Sequence, residues 1–526
     1  MSSAHLLIVV AVAAVTLLAV AGLGRLGIES TVVFVVAGLI VGFLPFVPDV
    51  SLDPEVVLLG LLPLLVFDAA LTASPTAFSR SAASIGRLAT GLVVVTAIVV
   101  AAVAHWVGHL SWAMAFVLGT AVGPTDAAAA TGIARRLGLP RRLQTILEGE
   151  ALFNDATALV LYAAAVSAAT GVHVSGLHTA GSIVYASAVG AALGLIVGAI
   201  GRRLRSWIDD PPIEIAGSIL LAYAAYLPAE ALHASGVLAA VTAGLYLGWH
   251  SSTGAFSART RLQSAAFWQT LVFLINAALF VLVGLSFHSF SVETRGPLGR
   301  LALTGAVVIA AVVGTRLAWM EASGWVARIR RRRGPVDAAT GWRERTILGW
   351  SGMRGAITLA ALLAVPRTTH AGHALAGRDD IIYLGFAVIL ATVIGQGLTL
   401  PPLVARLAPP EHPAVADAER RARLALTEAV LDQLDVADQD RGASPEVIDA
   451  LRAQYLSRRR RLEPPDDDAA AADAAPPPAR SDAALRRELI DLQRRRLGEL
   501  RRAGQIGVTT QRLLEHELDL EDARLS

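Results

Sequence analysis

The chain has 526 residues, of which 54% are hydrophobic and 17% are charged, and its formal net charge is +2. In soluble domains about a quarter of the residues are charged, so this composition is typical of an integral membrane protein. The sequence has no cysteine and its basic residues are all arginine, which excludes disulfide frameworks, cysteine-ligated zinc, thiol nucleophiles and lysine Schiff bases.

Apolar segments long enough to cross a bilayer core of about 30 Å recur up to about residue 405. The first lacks a cationic leader region and a clear cleavage site, so we expect it to be retained as a span. The eighth and ninth meet at the four residues His233-Ala234-Ser235-Gly236 and could instead form one bent hairpin. We predict an all-α membrane protein with thirteen spans, at residues 4–23, 28–46, 55–73, 88–107, 112–133, 143–168, 180–200, 213–233, 235–248, 265–287, 301–327, 346–366 and 380–404.

Arginine is concentrated in alternate loops, as the positive-inside rule requires. One set of loops contains Arg25, Arg80, Arg87, Arg135, Arg136, Arg141, Arg142, Arg202, Arg203, Arg205, Arg259, Arg261, Arg328, Arg330 to Arg333, Arg343 and Arg345. The other set contains only Arg295, Arg300, Arg367 and Arg378, with acidic residues among them. This alternation predicts an odd number of spans in the cell membrane, with the N-terminus outside and the C-terminus in the cytoplasm.

A charged tail follows the apolar part, so we divide the chain into a transmembrane exchange domain, residues 1–407, and a cytoplasmic tail, residues 408–526. Residues 411–462 carry charges at helical spacing, and 463–480 have the composition of a disordered linker. From residue 481 the pattern predicts an amphipathic helix that packs on itself or on a second subunit. A solvated appendage is the equal alternative, and the tail could bind a regulatory partner.

Ionisable side chains inside predicted spans cost several kcal/mol unless they are paired or hydrated, so they mark candidate functional residues. The sequence places eight of them there or at span ends: Asp68, Asp126, Glu148, Glu150, Asp155, Glu230, Arg316 and Arg354.

Asp155 follows Asn154 in a mostly apolar segment, and Glu150 precedes it by five residues. Five residues turn a helix by about 140°, so the two acids should face different surroundings. A water-reachable Asp155 could hold either a proton or a monovalent cation, and competition between these ligands would couple their fluxes; the alternative is a structural ion pair with an arginine. We expect Glu150 to pair with Arg316 and Glu148 to be solvated.

Two spans are interrupted, the fifth by Gly-Pro-Thr-Asp at residues 123–126 and the twelfth by three glycines within residues 349–355. Paired interruptions in two halves of a chain indicate a transporter's binding site, here in two inverted six-span repeats joined by one extra helix. Asp126 and Arg354 are placed to neutralise the helix ends. Alternatively, the glycines only allow close packing and Asp126 is a cap. Asp68 follows Pro63 and could line a cation path or accept hydrogen bonds.

These segments together resemble the first cation:proton antiporter family, which contains bacterial Na⁺/H⁺ antiporters and animal sodium/hydrogen exchangers. The resemblance covers essentially the whole predicted membrane domain. The segments that carry it are LPLLVFDAAL around Asp68, GPTDAAAATGIARRLGLP, LEGEALFNDATALVLY, FVLVGLS at 280–286, TR at 315–316 and GMRGAITLA at 352–360.

The resemblance implies an inverted-repeat fold with two crossed discontinuous helices, a homodimer, and elevator-like movement of an ion-carrying core. It implies that Asp155 is the ion ligand and proton carrier, that Asn154 replaces a second charge as in electroneutral exchangers, and that Thr125 offers an oxygen. Asp126 would lie at the crossing, with Glu150 and Arg316 as the structural pair. The transported ions would be Na⁺ or Li⁺ and H⁺, with no cofactor and no nucleic-acid partner.

This chain departs from the family pattern at two positions. Ala127 stands where the family often has proline, and Ala151 where it usually has a serine that can supply a cation oxygen. Because Ala151 removes one oxygen, a K⁺/H⁺ exchanger is an open alternative. An intramembrane aspartyl protease using Asp126 and Asp155 is a remote one, since neither site has the Gly-x-Gly-Asp pattern. A non-transporting receptor or scaffold would leave the buried acids unexplained.

Overall fold

The computed structural model describes residues 16, 18–24, 28–44, 53–73, 75–171, 176–205, 207, 210–250, 258–293, 298–331, 341–407, 413–439, 445–462 and 483–524. Within these residues the secondary structure is helical, apart from one isolated bridge between Thr368 and Ala374.

The apolar part of the chain consists of sixteen described α-helices and three π-helical segments. The π-helical segments are Val56–Leu61, Arg87–Leu92 and Ala391–Gln396. The α-helices are α1 Ser30–Gly42, α2 Leu62–Thr72, α3 Pro75–Gly86, α4 Val93–Trp106, α5 Trp112–Ala121, α6 Ala127–Arg136, α7 Arg141–Ala169, α8 Gly176–Arg205, α9 Pro211–Ala231, α10 Gly236–His250, α11 Ala258–Glu293, α12 Leu298–Arg331, α13 Trp342–Trp350, α14 Ala356–Leu363, α15 Arg378–Leu390 and α16 Gly397–Leu407.

Seven helices in the described part are long and apolar enough to cross a membrane: Ser81–Trp106, Arg142–Ala169, Gly181–Arg205, Pro211–Ala231, Thr260–Phe287, Gly299–Trp325 and Arg378–Leu407. Shorter apolar helices coincide with other predicted spans. The predicted span at 4–23 lies mostly outside the described residues. The eighth and ninth predicted spans are two separate helices, α9 and α10. The total of thirteen spans remains a prediction.

The two interruptions in the sequence are breaks between helices, and the breaks contact each other. The first separates α5 from α6, and the second separates α13 from α14. The backbone N–H of Asp126 in the first break donates to the carbonyl of Met353 in the second, at 2.8 Å. Backbone polar groups in a membrane interior must be satisfied within the protein, and here one break satisfies part of the other.

Gly355 allows this contact, because a Cβ at that position would lie 1.7 Å from Oδ2 of Asp126. We expect Gly355→Ala to push the breaks apart and to destabilise the protein by about 1–3 kcal/mol, the usual cost of overpacking. The measurement is the midpoint of thermal unfolding in detergent. Gly314→Ala on α12 is the matched control, since a Cβ there meets nothing within 4 Å. Equal midpoints for the two variants would contradict this account of Gly355.

Small residues bring α1 and α11 into backbone contact. A Cβ added to Gly38 would lie 2.2 Å from the carbonyl oxygen of Val281, and one added to Gly284 would lie 2.4 Å from that of Val35. Small residues of this kind let membrane helices approach closely. The backbones of α1 and α11 therefore pack directly against each other at these two glycines.

The tail forms four described helices, α17 Pro413–Gln439, α18 Pro445–Leu462, α19 Ala483–Arg502 and α20 Val508–Ala523. Two apolar clusters hold them together, one joining α17, α19 and α20 and the other joining α17, α18 and α19. The described tail helices are therefore packed against one another. The predicted linker at 463–480 lies outside the described residues. Helix α20 also packs against α11 of the apolar part.

Candidate ion-binding site

A cavity of about 780 Å³ reaches the middle of α7, and most of the acids singled out in the sequence line it. Asp155 and Glu148 come from α7, Asp68 from α2, and Thr125 and Asp126 from the break between α5 and α6. The break thus brings its polar side chains to the same space as the α7 carboxylate.

Asp155 is buried, with 7% of its surface exposed. Among the described residues, none forms a hydrogen bond or an ion pair with its carboxylate. An isolated carboxylate is costly to bury unless it is paired, hydrated or protonated, and the cavity is where water or a cation can reach it. The alternative of an arginine ion pair for Asp155 therefore has no support in the described contacts.

Asn154 faces the first helix break. Its Nδ2 donates to the backbone carbonyl and to the hydroxyl of Thr125, both at 3.0 Å. Its Oδ1 is buried and accepts no hydrogen bond from the described residues. The amide therefore holds the unwound backbone of Thr125 against α7.

Glu150 points away from the cavity and forms a bidentate ion pair with Arg316 of α12. One hydrogen bond, from Nη2 to Oε2, is 2.8 Å long, and the other joins Nη1 to Oε1. Thr125 donates its hydroxyl to the same carboxylate at 3.0 Å, and Nε of Arg316 donates to the Leu348 carbonyl at 3.1 Å. This pair, buried on both sides, connects the first break to the helix that precedes the second.

Arg354 binds main-chain carbonyls rather than a carboxylate in the contacts of the described residues. Its guanidinium donates to the Val122 carbonyl at 2.9 Å, to the Gly123 carbonyl at 3.5 Å and to that of Gly352. Because Val122 and Gly123 follow the C-terminus of α5, where a helix carries partial negative charge, Arg354 caps that end.

Sequence reasoning missed several residues around the site. Thr392, in a π-helical segment, accepts the backbone N–H of Arg354 at 3.1 Å. Arg205 and Glu214 form a buried ion pair of 2.8 Å at the cavity wall between α8 and α9. Their closeness in the sequence could have flagged them, since Arg205 follows one predicted span and Glu214, nine residues later, begins the next. No local signal marks Thr392.

The remaining predicted site residues fall into two groups. Ala151 lines the cavity one helical turn before Asp155, so the position where the family usually has serine does face the candidate site. Glu230 lies at the end of α9, where its carboxylate accepts the backbone N–H of Gly236 at 3.0 Å. It is not among the residues that line the cavity.

Comparisons with known proteins agree with this fold and these motifs. The chain shares its fold with the sodium proton antiporter MjNhaP1 from Methanocaldococcus jannaschii, with a TM-score of 0.60 and 18% identity, covering 77% of this chain and 99% of that one. An uncharacterized Na⁺/H⁺ exchanger of Mycobacterium bovis is 36% identical over 98% of this chain and 95% of its own length. The Na⁺/H⁺ antiporter NhaH of Halobacillus dabanensis is 30% identical over 72% of this chain and 92% of its own.

The family model described as "Sodium/hydrogen exchanger, transmembrane" matches residues 10–406, which is most of the chain. This family consists of transporters, so the protease alternative loses its basis. The chain belongs to the sodium/hydrogen exchanger family of multi-pass membrane antiporters.

Proposed function

We propose that the chain is a secondary active antiporter that exchanges Na⁺ or Li⁺ for H⁺ across the cytoplasmic membrane, and that Asp155 is the site both ions share. The observation that carries this proposal is a buried carboxylate at a cavity, with no protein partner among the described residues. A proton and a cation neutralise the same charge there, so each excludes the other. Alternating access of one such site to the two sides of the membrane exchanges the ions and would regulate intracellular pH and sodium.

The neighbours of Asp155 have positioning roles in this proposal. Asn154 holds Thr125, and the pair of Glu150 and Arg316 holds the same residue from the other side. Thr125 and Asp126 bring oxygen atoms to the cavity, and Asp68 lines its approach. Arg354 neutralises the end of α5. A cation at Asp155 would complete its shell with water where Ala151 offers no oxygen.

The proposal includes the finer architecture predicted from the sequence. It comprises thirteen spans in inverted repeats with two crossed discontinuous helices, a homodimer, an N-terminus outside and a cytoplasmic tail. The hydrogen bond between Asp126 and Met353 supports the crossing. The tail contacts the start of α11, next to arginines of the Arg-rich loops, which supports a cytoplasmic tail.

The test uses the purified protein in liposomes that contain a pH-sensitive dye. Na⁺, Li⁺, K⁺ or choline is added in turn, with and without an imposed membrane potential. We expect Na⁺ and Li⁺ to drive proton movement at a rate that the potential does not change, because one charge is exchanged for one. A response to K⁺ alone would favour the K⁺/H⁺ alternative. Absence of any cation-driven proton movement in correctly inserted protein would refute antiport.

Asn154→Asp tests whether the neutral side chain at this position sets the charge count. The structure adds a second effect, because the substitution removes both donors to Thr125 and leaves the Thr125 carbonyl facing a carboxylate. We expect slower exchange and a decrease of about 1–3 kcal/mol in the free energy of unfolding, which is the cost of an unsatisfied buried polar group. Asn154→Ala removes the donors without adding charge. Any voltage sensitivity beyond that of Asn154→Ala would then report the added charge, whereas unchanged thermal stability in both variants would contradict the role of Asn154 in holding Thr125.

A further inference from the structure

The cavity that Asp155 lines is bounded at one end by the tail. Glu515, His516 and Asp519 of α20 line the same cavity as Asp155, although more than 350 residues separate them along the chain. On the membrane side this end is lined by Arg261 and Ser264 of α11. The last described helix of the chain is therefore part of the wall of the candidate ion path.

Helix α20 presents two different faces. Leu514 and Leu518, one turn apart, are buried in the apolar cluster that joins α17, α19 and α20. Glu515 and Asp519, also one turn apart, lie one position further round the helix and reach the cavity. Residues four apart share a helix face, so the apolar face belongs to the tail and the acidic face belongs to the cavity.

An ion pair joins this acidic face to the membrane helices. Asp519, only 2% exposed, accepts from Nε of Arg261 at 2.7 Å and also from its Nη2. Within the tail, Arg494 donates to Asp519 and to Asp522, both at 2.9 Å. Asp519 therefore bridges an arginine of α11 and an arginine of the tail.

The two arginine partners of Asp519 belong to different parts of the molecule, since Arg494 lies in the tail and Arg261 lies on α11. Burial lowers the pKa of Arg494, but hydrogen bonds to Asp522 and Asp519 and the charges of both raise it more, so the pKa lies above its ordinary value. Asp519 thus keeps a charged partner inside the tail when the tail leaves α11. Arg261, which is partly exposed, can be hydrated after separation. Separation of α20 from α11 would leave neither Asp519 nor Arg261 buried without a partner or water, and so would avoid the cost of an unpaired buried charge.

We propose that α20 is a lid on the ion cavity, held shut by the ion pair of Arg261 and Asp519, and that the docked tail limits access of cations to Asp155 from its side of the membrane. This inference rests on the proposed function of Asp155. The occupant of the cavity mouth is the chain's own C-terminal helix. Exchange is fast when α20 is released and slow when it is docked.

The test measures access and exchange separately. The chain has no cysteine, so Ala151→Cys adds one reporter thiol next to Asp155, and its labelling by a membrane-impermeant thiosulfonate from the tail side reports access. Exchange is measured without the reporter. Asp519→Asn releases the lid from the tail side, and Arg261→Gln releases it from the membrane side while leaving the Arg494–Asp519 contact in the tail. Asp522→Asn is the matched control, because Asp522 also pairs with Arg494 but is not among the cavity-lining residues.

We expect both release variants to label about ten- to a hundredfold faster and to exchange faster by a similar factor, as loss of a charged hydrogen bond implies. The double variant should add nothing further, and Asp522→Asn should match the unaltered protein. Unchanged labelling in Arg261→Gln and Asp519→Asn would overturn the lid. Faster labelling in Asp519→Asn alone would overturn the ion-pair latch, since the tail would then have been disrupted from within. Faster labelling without any exchange would leave the lid standing and refute the proposed function.

Discussion

Asp155→Asn is expected to reduce cation-driven proton movement to the level of protein-free liposomes, with a normal yield of folded protein. The amide keeps the shape of the carboxylate but cannot bind or release a proton, and it carries no charge for a cation. The fold should survive because, among the described residues, none depends on the Asp155 carboxylate for a hydrogen bond. The dye assay in liposomes measures the activity, and elution of the protein as a single species in detergent measures the fold.

Asp379→Asn is the matched control for that experiment. It makes the same chemical change on α15, where Asp379 is 63% exposed and 3.7 Å from Arg378, outside the cavity lining. We expect it to exchange cations normally. Full exchange by Asp155→Asn would remove the central assignment and would direct attention to Asp126 or Asp68.

Glu150→Gln, on the same helix, is expected to have the opposite effect and to act on stability first. The amide oxygen can still accept from the Thr125 hydroxyl, but Arg316 is left as a buried charge without its carboxylate. Breaking a buried pair in this way costs about 3–5 kcal/mol. We expect a large loss of folded protein at 37 °C and a lower midpoint of thermal unfolding.

The double variant Glu150→Gln with Arg316→Met separates charge from packing. Methionine fills much of the volume of the arginine stem and removes the unpaired charge, so stability should recover in part. A double variant that is less stable than Glu150→Gln would show that Arg316 is needed for its bond to the Leu348 carbonyl more than for its charge. The exchange activity of this double variant then tests whether the ion pair of Glu150 and Arg316 has any role in exchange beyond positioning Thr125.

Local sequence features predicted the parts of the site that depend on one helix or one break. The five-residue spacing of Glu150 and Asp155 was enough to assign them to different sides of α7, and the structure places one on Arg316 and the other in the cavity. The glycines and Pro124 were enough to locate both breaks to within a few residues. These features work because helical geometry and proline chemistry act over short distances.

Contacts between distant segments were not accessible in the same way. The sequence indicated that the positive charge of Arg354 needed a partner inside the protein. The partners are the backbone carbonyls of residues 122 and 123, which cannot be identified from the charged side chains in the sequence. For the tail, the sequence left two predictions open, a packed amphipathic helix and a solvated appendage. Amphipathic spacing indicates that one face of a helix is apolar, but it does not identify the surface that covers that face. Only the fold shows that the acidic face of α20 meets Arg261.

The close fit of α1 against α11 has a consequence for movement in this protein. Gly38 and Gly284 each leave room only for the main chain of the other helix, so one helix cannot slide along the other without a collision between backbones. Helix α11 supplies a whole wall of the cavity, from Arg261 to Leu279. We therefore expect that wall and α1 to move as one unit, so that a change in the width of the cavity comes from α7, which carries Asp155, and from the broken helices that face it.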